Sequence, residues 1–188
     1  MTTLCHTEAA TQKKMLMETS LLHLMSQRPY QEITVMDICR EAEVPRRTFY
    51  HYFGNKEDVL ESIIESLMQQ CFLEVIFDIR LGKEYMEQCF ATIFRFWTGE
   101  NRKKLDILIK NGLELRLLSW ASQWIRREQI SSLQKSNLDP KLVEIGLMVG
   151  ITDFFTLLFH WSRGGYRESV EQMAEYAVWV LPHAFYNL

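Results

Sequence analysis

The sequence predicts an all-α protein of about nine helices, arranged as a small N-terminal head followed by a larger helical body. Apolar residues recur at three- and four-residue spacing along most of the 188-residue chain. Capping residues, prolines and glycines stand where one apolar stripe ends and the next begins. We find no convincing run of alternating apolar and polar residues, the pattern typical of a half-buried strand. The head is expected to cover residues 1–55 and the body residues 56–188.

The first predicted helix runs from about Thr11 to Ser26 and ends before Arg28-Pro29, because proline disfavours helical backbone at the residue before it. Met15, Leu22 and Met25 are the side chains that we expect this helix to place near the core of the head. Residues 1–20 are polar and include Lys13-Lys14, so we expect no apolar leader.

A second, short helix is predicted after Thr34. The Thr34 oxygen can accept from the amide of Asp37, and the Asp37 carboxylate can reach back to the Thr34 amide, which is a capping box. This helix is expected to run to about Ala42 and to be followed by a turn at Glu43-Val44. Pro45 stands where the next helix begins, a position that tolerates a missing amide proton.

The third predicted helix, residues 46–53, separates core side chains from polar ones. Phe49 and Phe53 are four residues apart and are expected to be buried. Gly54 is expected to stop the helix in a left-handed conformation, and Asn55 to cap the next helix. The remaining side chains are rich in hydrogen-bond donors, as in a helix that lies in a DNA groove: Arg46, Arg47, Thr48, Tyr50 and His51. The alternative is an unrelated pair of helices with a solvated basic face.

The segment TVMDICREAEVPRRTFYHYFGNKEDVL, residues 34–60, resembles the DNA-binding head of the tetracycline-repressor (TetR) or AcrR-like family. The resemblance covers roughly residues 10–65. It implies that Thr34, Tyr50 and Lys56 bind phosphates, and that the positions of Arg46, Arg47, Thr48 and His51 face the groove. The sequence departs from the family at Glu43, where glycine is usual, and at Pro45, where a small hydroxyl residue is usual. Both departures concern the turn that presents the third helix, and Pro45 stays among the expected DNA-binding positions.

Charge and composition permit this interpretation. The formal net charge is -3, but the three charged residues between Val44 and Lys56 are all basic, and local charge is what matters for groove binding. The longest apolar run, residues 145–161, contains Asp153 and His160, so we expect a buried helix and no membrane span. Four scattered cysteines, at positions 5, 39, 71 and 89, lack paired metal-ligand spacing and suggest a reduced, cytoplasmic protein. We expect no metal and no cofactor, and without a phosphate loop, nucleophile elbow or HExxH motif we expect no enzyme.

The body continues the helical periods. A helix from Lys56 to about Asp78 carries one apolar stripe, Leu60, Ile63, Ile64, Leu67 and Cys71. Gly82, Gly99 and Gly112 separate the helices that follow. A proline-started helix is predicted from Pro140 to about Ser162, and Gly164-Gly165 should stop it before a last helix opened by Ser169.

The last two helices are candidates for a subunit interface. Apolar residues occur all round the helix within residues 145–161, which suggests that more than one side is buried. The resemblance implies that these helices pair with their copies in a homodimer as a four-helix bundle. The residues expected at this interface are Gly146, Gly150, Phe154, Met173 and Ala177. The alternative is that both helices are buried within their own subunit.

Aromatic residues in the middle of the chain suggest a pocket for a small-molecule effector, which the family resemblance also implies. The expected lining is Phe90, Phe94, Trp97, Trp120, Trp124 and Phe155. The same side chains would serve equally well as ordinary helix-bundle core. Near the C-terminus, Trp161, Gly164-Gly165 and the segment Glu168, Ser169 and Glu171 resemble a branch of the family that includes regulators of dihydroxyacetone metabolism.

Taken together, these features predict a homodimeric DNA-binding transcription regulator that is released from a palindromic double-stranded operator by a small-molecule effector. Repression is the expected sign, because an operator-bound dimer can occlude polymerase, and activation stays open. Two alternatives are a TetR-like co-regulator that acts by protein contact without its own operator, and an all-helical enzyme. Binding of selected random duplexes would separate the three.

Overall fold

The computed structural model describes residues 2–73, 75, 82–133 and 140–180. Within these residues the chain forms nine α-helices and one turn of 3-10 helix at Tyr30–Glu32, with no strand. The predicted all-α class is confirmed. The α-helices are α1 Thr2–Gln27, α2 Val35–Glu41, α3 Arg46–Tyr52, α4 Lys56–Leu73, α5 Gly82–Thr98, α6 Arg102–Lys110, α7 Glu114–Leu133, α8 Pro140–Arg163 and α9 Val170–Val180.

The chain divides into two compact units, residues 1–66 and 67–188, so the division falls within α4. The boundary expected from the sequence is 55/56, at the start of that helix. The difference arises because the first half of α4 contributes to the head. Val59, Leu60 and Ile63 are buried there, and Ser62 Oγ donates to Glu18 Oε1 of α1 at 2.6 Å.

The buried face of α1 is not the one that we expected. Met17, Leu21 and Met25 are buried, with Leu24 beside them, whereas Met15 is 58% exposed. Residues 17, 21 and 24 follow the helical repeat of three to four residues, and residue 15 lies on the opposite side. The prediction for Met25 was therefore right and that for Met15 was wrong, since several phases of this apolar-rich helix fit the sequence pattern.

The predicted capping box at the start of α2 is present. The Asp37 amide donates to Thr34 Oγ1 at 3.2 Å, and the Thr34 amide donates to Asp37 Oδ2 at 3.0 Å. Arg28 and Arg40 each place a guanidinium nitrogen 2.8 Å from the same carboxylate. Hydrogen bonds from Thr34, with a smaller contribution from Arg28, lower the pKa of Asp37 from 3.8 to about 2. The carboxylate thus stays charged and ties the end of α1 to the start of α2.

The turn between α2 and α3 uses a strained residue. Glu43 has φ +52°, and the Val44 amide donates to the Cys39 carbonyl at 3.0 Å, the six-to-one hydrogen bond of a Schellman motif. Glycine is the usual residue at that position, and a side chain there costs about 1 kcal/mol. Pro45 is the N-cap residue of α3, one position before the helix proper, and its carbonyl accepts from Thr48 and Phe49.

Gly54 does not stop α3 as predicted, because it lacks the positive φ of a left-handed residue. The helix ends instead when Phe53 adopts an extended conformation, with φ -139° and ψ 136°. The Gly54 amide donates to Asp58 Oδ2 at 2.8 Å, and a Cβ at position 54 would lie 3.0 Å from that oxygen. The cap at Asn55 is confirmed by a 2.9 Å hydrogen bond from the Asp58 amide to Asn55 Oδ1.

The second unit contains the latter part of α4 and helices α5 to α9, in which α5 packs against α9 and α7 against α8. Gly82, Gly112 and Gly165 adopt positive φ at helix boundaries. Helix α8 runs from Pro140 to Arg163, so its predicted start at Pro140 and its predicted stop before Gly164-Gly165 are confirmed. Ser169 and Gln172 form reciprocal hydrogen bonds at the start of α9. The predicted end of α4 near Asp78 and the chain beyond Val180 lie outside the described residues.

Helix α8 has two contrasting sides within the second unit. Ile151, Phe155 and Leu158 are buried, whereas Ile145, Met148 and Val149 are exposed. Residues 144–163 are long and apolar enough to cross a membrane by length and composition, a test that the core helix of a soluble protein also passes. The exposed apolar side distinguishes α8 from an ordinary amphipathic surface helix.

We expect Asp37→Asn to destabilise α2 by about 1 kcal/mol, the usual contribution of a helix cap. Because the pKa of Asp37 is about 2 in the folded state and 3.8 without its partners, its stabilising contribution is complete above pH 4 and is lost as the pH falls towards 2. Hydrogen exchange of the α2 amides between pH 4 and 2 tests this.

Glu41→Gln is the matched control, since it removes a carboxylate from the same helix without changing the cap. Equal protection of α2 in Asp37→Asn and wild type across that pH range would contradict the role given to Asp37.

Candidate nucleic-acid interface

Helix α3 is oriented by two buried phenylalanines. Phe49 is fully buried and Phe53 nearly so, and their rings lie 5.9 Å apart. Because an α-helix turns once every 3.6 residues, burial of these side chains directs the side chains of Arg46, Arg47 and Tyr50 away from the core. All three are exposed, Tyr50 to 50%. The predicted separation of core and donor residues is thus present in the fold.

Arg46 and Tyr50 form a pair one helical turn apart. The Arg46 guanidinium donates to the Tyr50 hydroxyl at 3.4 Å and lies 5.8 Å from the ring centroid. Since the hydroxyl accepts from Arg46, its own proton is free to be donated outward. Arg47 has no hydrogen-bond or ion-pair partner within the described residues, so its guanidinium is available to a ligand.

The other expected DNA-binding residues lie around the same helix. Pro45 and His51 are exposed, Thr48 is half-buried, and the His51 ring meets Tyr52 edge to face at 4.9 Å. Thr34 is exposed at the start of α2, although its hydroxyl is already engaged with Asp37. These residues all belong to unit 1, so the structure brings the expected set together in a single compact domain.

Lys56 is placed differently from the others. Its Nζ donates to the carbonyl oxygens of Tyr30 at 3.0 Å, Gln31 at 3.2 Å and Ile33 at 2.8 Å. It also lies 4.5 Å from the centroid of the Tyr30 ring. The ammonium expected to bind phosphate is therefore engaged by backbone of the 3-10 turn.

Sequence reasoning missed this lysine contact and the Arg28–Asp37 ion pair. Neither follows from a local pattern, because Lys56 is 23 to 26 residues from its acceptors. For Arg28, the available signal was a lone arginine between the end of a helix and a capping carboxylate. It also missed a hydrogen-bonded cluster in unit 2, where Ser162 Oγ and Tyr166 Oη donate to Asp106 Oδ1 at 2.8 and 2.7 Å.

The residues expected to line one effector pocket take part in different ring contacts within the second unit. Phe90 and Phe94 contact the ring of Phe154, with centroids 5.8 and 5.0 Å apart, and Phe154 also meets Phe155 at 5.4 Å. These four rings form one buried cluster between α5 and α8. Trp124 instead stacks on Phe72 at 4.7 Å, and Trp120 is half-buried on α7.

Trp97 has the most unusual environment of the expected pocket residues. It is fully buried, and its indole Nε1 has no hydrogen-bond partner within the described residues. The neighbouring Cys71 thiol has its pKa raised by burial, an effect that Trp97 partly offsets. A thiol sulfur is a weak acceptor, so we regard the Trp97 proton as unsatisfied, which costs about 1–3 kcal/mol.

Most of the residues expected at the dimer interface are buried inside their own subunit. Met173 and Ala177 are each 3% exposed, Phe154 lies within the aromatic cluster, and Gly146 is buried. Gly150 is half-buried. A side chain with little free surface in the single chain offers little area to a partner, and the assignment of these residues to a dimer interface stays a prediction.

The exposed apolar residues of α8 and α9 lie on other faces of the same helices. On α8 they are Ile145, Met148 and Val149, at the spacing of a single helix face. On α9 they include Tyr176 and Trp179, and Trp179 is 75% exposed. We call these five residues the α8–α9 apolar face.

Comparison with known proteins agrees with the organisation of the head. Residues 21–63 match the family model for bacterial regulatory proteins of the tetR family, a segment that contains the whole of α2 and α3. The HTH-type dhaKLM operon transcriptional activator DhaS of Lactococcus lactis subsp. lactis (strain IL1403) is 39% identical over 100 residues. The head of this chain is therefore similar to that of tetR-family regulators. The aligned part is 52% of this chain, and the chain spans about half the length of that curated relative.

Solved structures of three proteins share the fold of this chain. The dihydroxyacetone kinase operon activator DhaS has 18% identity and a TM-score of 0.58, covering 90% of this chain and 93% of its own. The fatty acid degradation regulator FadR from Bacillus halodurans has 17% identity and a TM-score of 0.57, covering 90% and 94%. A TetR-family regulator from Syntrophomonas wolfei str. Goettingen has 22% identity and a TM-score of 0.52, covering 93% and 95%. At these identities the likeness concerns the fold.

Proposed function

We propose that this chain is a cytoplasmic, homodimeric transcription regulator of the TetR family that binds a near-palindromic operator through α3. The observation that carries the proposal is the exposed donor face of α3, held outward by the buried Phe49 and Phe53. Arg47 supplies a guanidinium that has no partner within the described residues, and the Arg46–Tyr50 pair supplies an ordered hydroxyl on the same helix. Arginine binds guanine edges in the major groove, while hydroxyl groups commonly bind phosphate.

Operator selection from random duplexes, followed by a mobility-shift assay, tests this function. Two heads of a dimer should select two half-sites about 34–36 Å apart, one turn of DNA, in near-palindromic order. If the purified chain enriched no duplex, it would act by protein contact, and the proposed function would be wrong.

The sign of regulation has two candidates. Repression follows from simple occlusion of polymerase by a bound dimer. Activation is favoured by the printed function of the relatives, since DhaS of Lactococcus lactis is a transcriptional activator and the solved DhaS is an operon activator. In vitro transcription from a promoter that carries the selected operator distinguishes them, because added protein lowers transcript yield in one case and raises it in the other.

We assign the dimer contact to the α8–α9 apolar face. The helices are those expected from the family, but the side chains are the exposed ones. Exposed apolar residues at single-face spacing are typical of a surface that a partner covers. A symmetric dimer would bury the same face from both subunits.

A small-molecule effector is proposed for the body, next to Trp97. Support comes from the buried indole N–H, which lacks a partner among the described residues and which an acceptor oxygen of a ligand would satisfy. The name of the relatives' operon makes dihydroxyacetone the first compound to test, followed by other small carbonyl and hydroxyl compounds.

Arg47→Ala should weaken operator binding by about 1–3 kcal/mol and relax the preference at one base pair, because a bidentate contact to guanine would be lost. Tyr50→Phe should instead weaken binding to all duplexes alike, since phosphates carry no sequence information. Titration of both variants against the operator and its single-base variants measures this. An unchanged preference profile in Arg47→Ala would remove Arg47 from base reading.

Trp179→Glu should convert the dimer to monomers and weaken operator binding, because it places a charge on an apolar contact that becomes buried on association. Sedimentation velocity and operator titration measure the two effects together. Leu115→Glu is the matched control, an equally exposed apolar residue on α7 outside the face. A Trp179→Glu protein that remained fully dimeric would place the interface elsewhere.

An effector that accepts from Trp97 should bind Trp97→Phe about 0.5–1.5 kcal/mol more weakly, the usual contribution of a neutral hydrogen bond. Trp179→Phe serves as the control for loss of a tryptophan. In the wild type, the same compound should change operator affinity, and operator DNA should change its affinity by the same factor. A compound that binds without that reciprocal effect is no effector.

A further inference from the structure

The placement of Lys56 in the head suggests a role different from phosphate binding. An ammonium group has three protons, and three carbonyl oxygens lie 2.8 to 3.2 Å from Lys56 Nζ, those of Tyr30, Gln31 and Ile33. In this arrangement no proton of the ammonium is left for a phosphate oxygen. The Tyr30 ring covers the group at 4.5 Å, which adds a cation–π contact.

The position of Lys56 within α4 points the same way. It is the first residue of the helix, where a positive charge is unfavourable to the helix dipole. Its side chain leaves that end and reaches two carbonyls of the 3-10 turn Tyr30–Glu32 and the carbonyl of Ile33, which follows the turn. The neighbouring Glu57 reinforces the contact, because the Tyr30 hydroxyl donates to Glu57 Oε1 at 3.3 Å.

The segment held by Lys56 leads directly into α2. Ile33, whose carbonyl makes the shortest of the three contacts, is followed by Thr34, the N-cap of α2. Thr34 is also the residue expected to bind phosphate from the start of that helix. A shift of the turn would therefore move the Thr34 end of α2, and with it the Schellman turn that leads into α3.

We propose that Lys56 is a positioning residue that fixes the turn Tyr30–Ile33, and through it the Thr34 end of α2, instead of binding a phosphate itself. The inference rests on the proposed operator binding and replaces the role that family resemblance gives to this lysine. Loss of affinity alone does not separate these two roles of Lys56, but the salt dependence of the affinity does. A direct phosphate contact releases counterions, whereas a backbone clamp does not.

The test compares Lys56→Met, Lys56→Arg and wild type as full-length dimers over a series of salt concentrations. Lys56→Met keeps an apolar stem and loses the charge and its donors. We expect it to bind the operator at least about tenfold more weakly, which corresponds to about 1.4 kcal/mol. The slope of log affinity against log salt should be unchanged. Lys56→Arg, which retains a charge and several donors, should recover most of the affinity.

Lys83→Met is the matched control, since it removes one exposed lysine from α5 in the other unit and should change neither affinity nor slope. Hydrogen exchange without DNA supplies a second readout, which holds even if Lys56→Met reduces the stability of the head. In Lys56→Met, the amides of Glu32 and Ile33, which donate to Pro29 and Tyr30 within the turn, should exchange faster than in wild type. The amides of α5 should exchange as before.

The inference is overturned if Lys56→Met lowers the salt slope by about 0.9 for each head, the value for one lost phosphate contact. Unchanged exchange at Glu32 and Ile33 would equally overturn it, because the clamp would then hold nothing. In either case wild-type operator binding, and thus the proposed function, would stand. If the wild type bound no operator, the proposed function would fail at that step, while exchange at Glu32 and Ile33 would still decide whether Lys56 holds the turn.

Discussion

The head depends on the burial of Phe49 on α3, the helix that packs against α2. Phe49 has no exposed surface, and Phe53, one turn later, is nearly as buried. Phe49 within the seven-residue helix and Phe53 at its C-cap together fix the rotation of α3 about its own axis. Every exposed side chain of α3 then has a defined direction. A helix this short is not stable alone in water, so its functional face depends on this packing.

Three local features hold the elements that flank α3. Each involves a charged side chain or a strained backbone that lies outside the polar face of α3. Asp37 joins the ends of α1 and α2 through Thr34, Arg28 and Arg40. Glu43 adopts a left-handed conformation, which costs about 1 kcal/mol and lets the chain turn within two residues. Lys56 joins the start of α4 to the 3-10 turn through hydrogen bonds from its ammonium to backbone carbonyls. Ionic and backbone contacts thus fix the geometry of these elements, and the exposed donor face of α3 takes no part in them.

The second unit shows a different use of aromatic residues. Stacked and edge-on rings between α5 and α8 fill the core, and aromatic pairs of this kind stabilise beyond the area that they bury. Among the described residues, the buried indole N–H of Trp97 has no hydrogen-bond partner. The α8–α9 apolar face differs from Trp97, because its apolar side chains are exposed to solvent instead of buried. A small polar molecule is therefore proposed as the partner of the buried Trp97 site, and a second subunit as the partner of the α8–α9 apolar face.

The sequence by itself determined the helical class, the Thr34–Asp37 cap, the burial of Phe49 and Phe53 and the donor residues of α3. Each of these depends on residues within four positions of one another, so the helical repeat and capping chemistry suffice to predict them. The tertiary structure decided what local spacing leaves open. It rotated α1 so that Met15 is exposed, and it engaged Lys56 with carbonyls more than twenty residues away. It also buried Met173 and Ala177 within the subunit while exposing Trp179, because an apolar helix does not specify which of its sides the rest of the chain will cover.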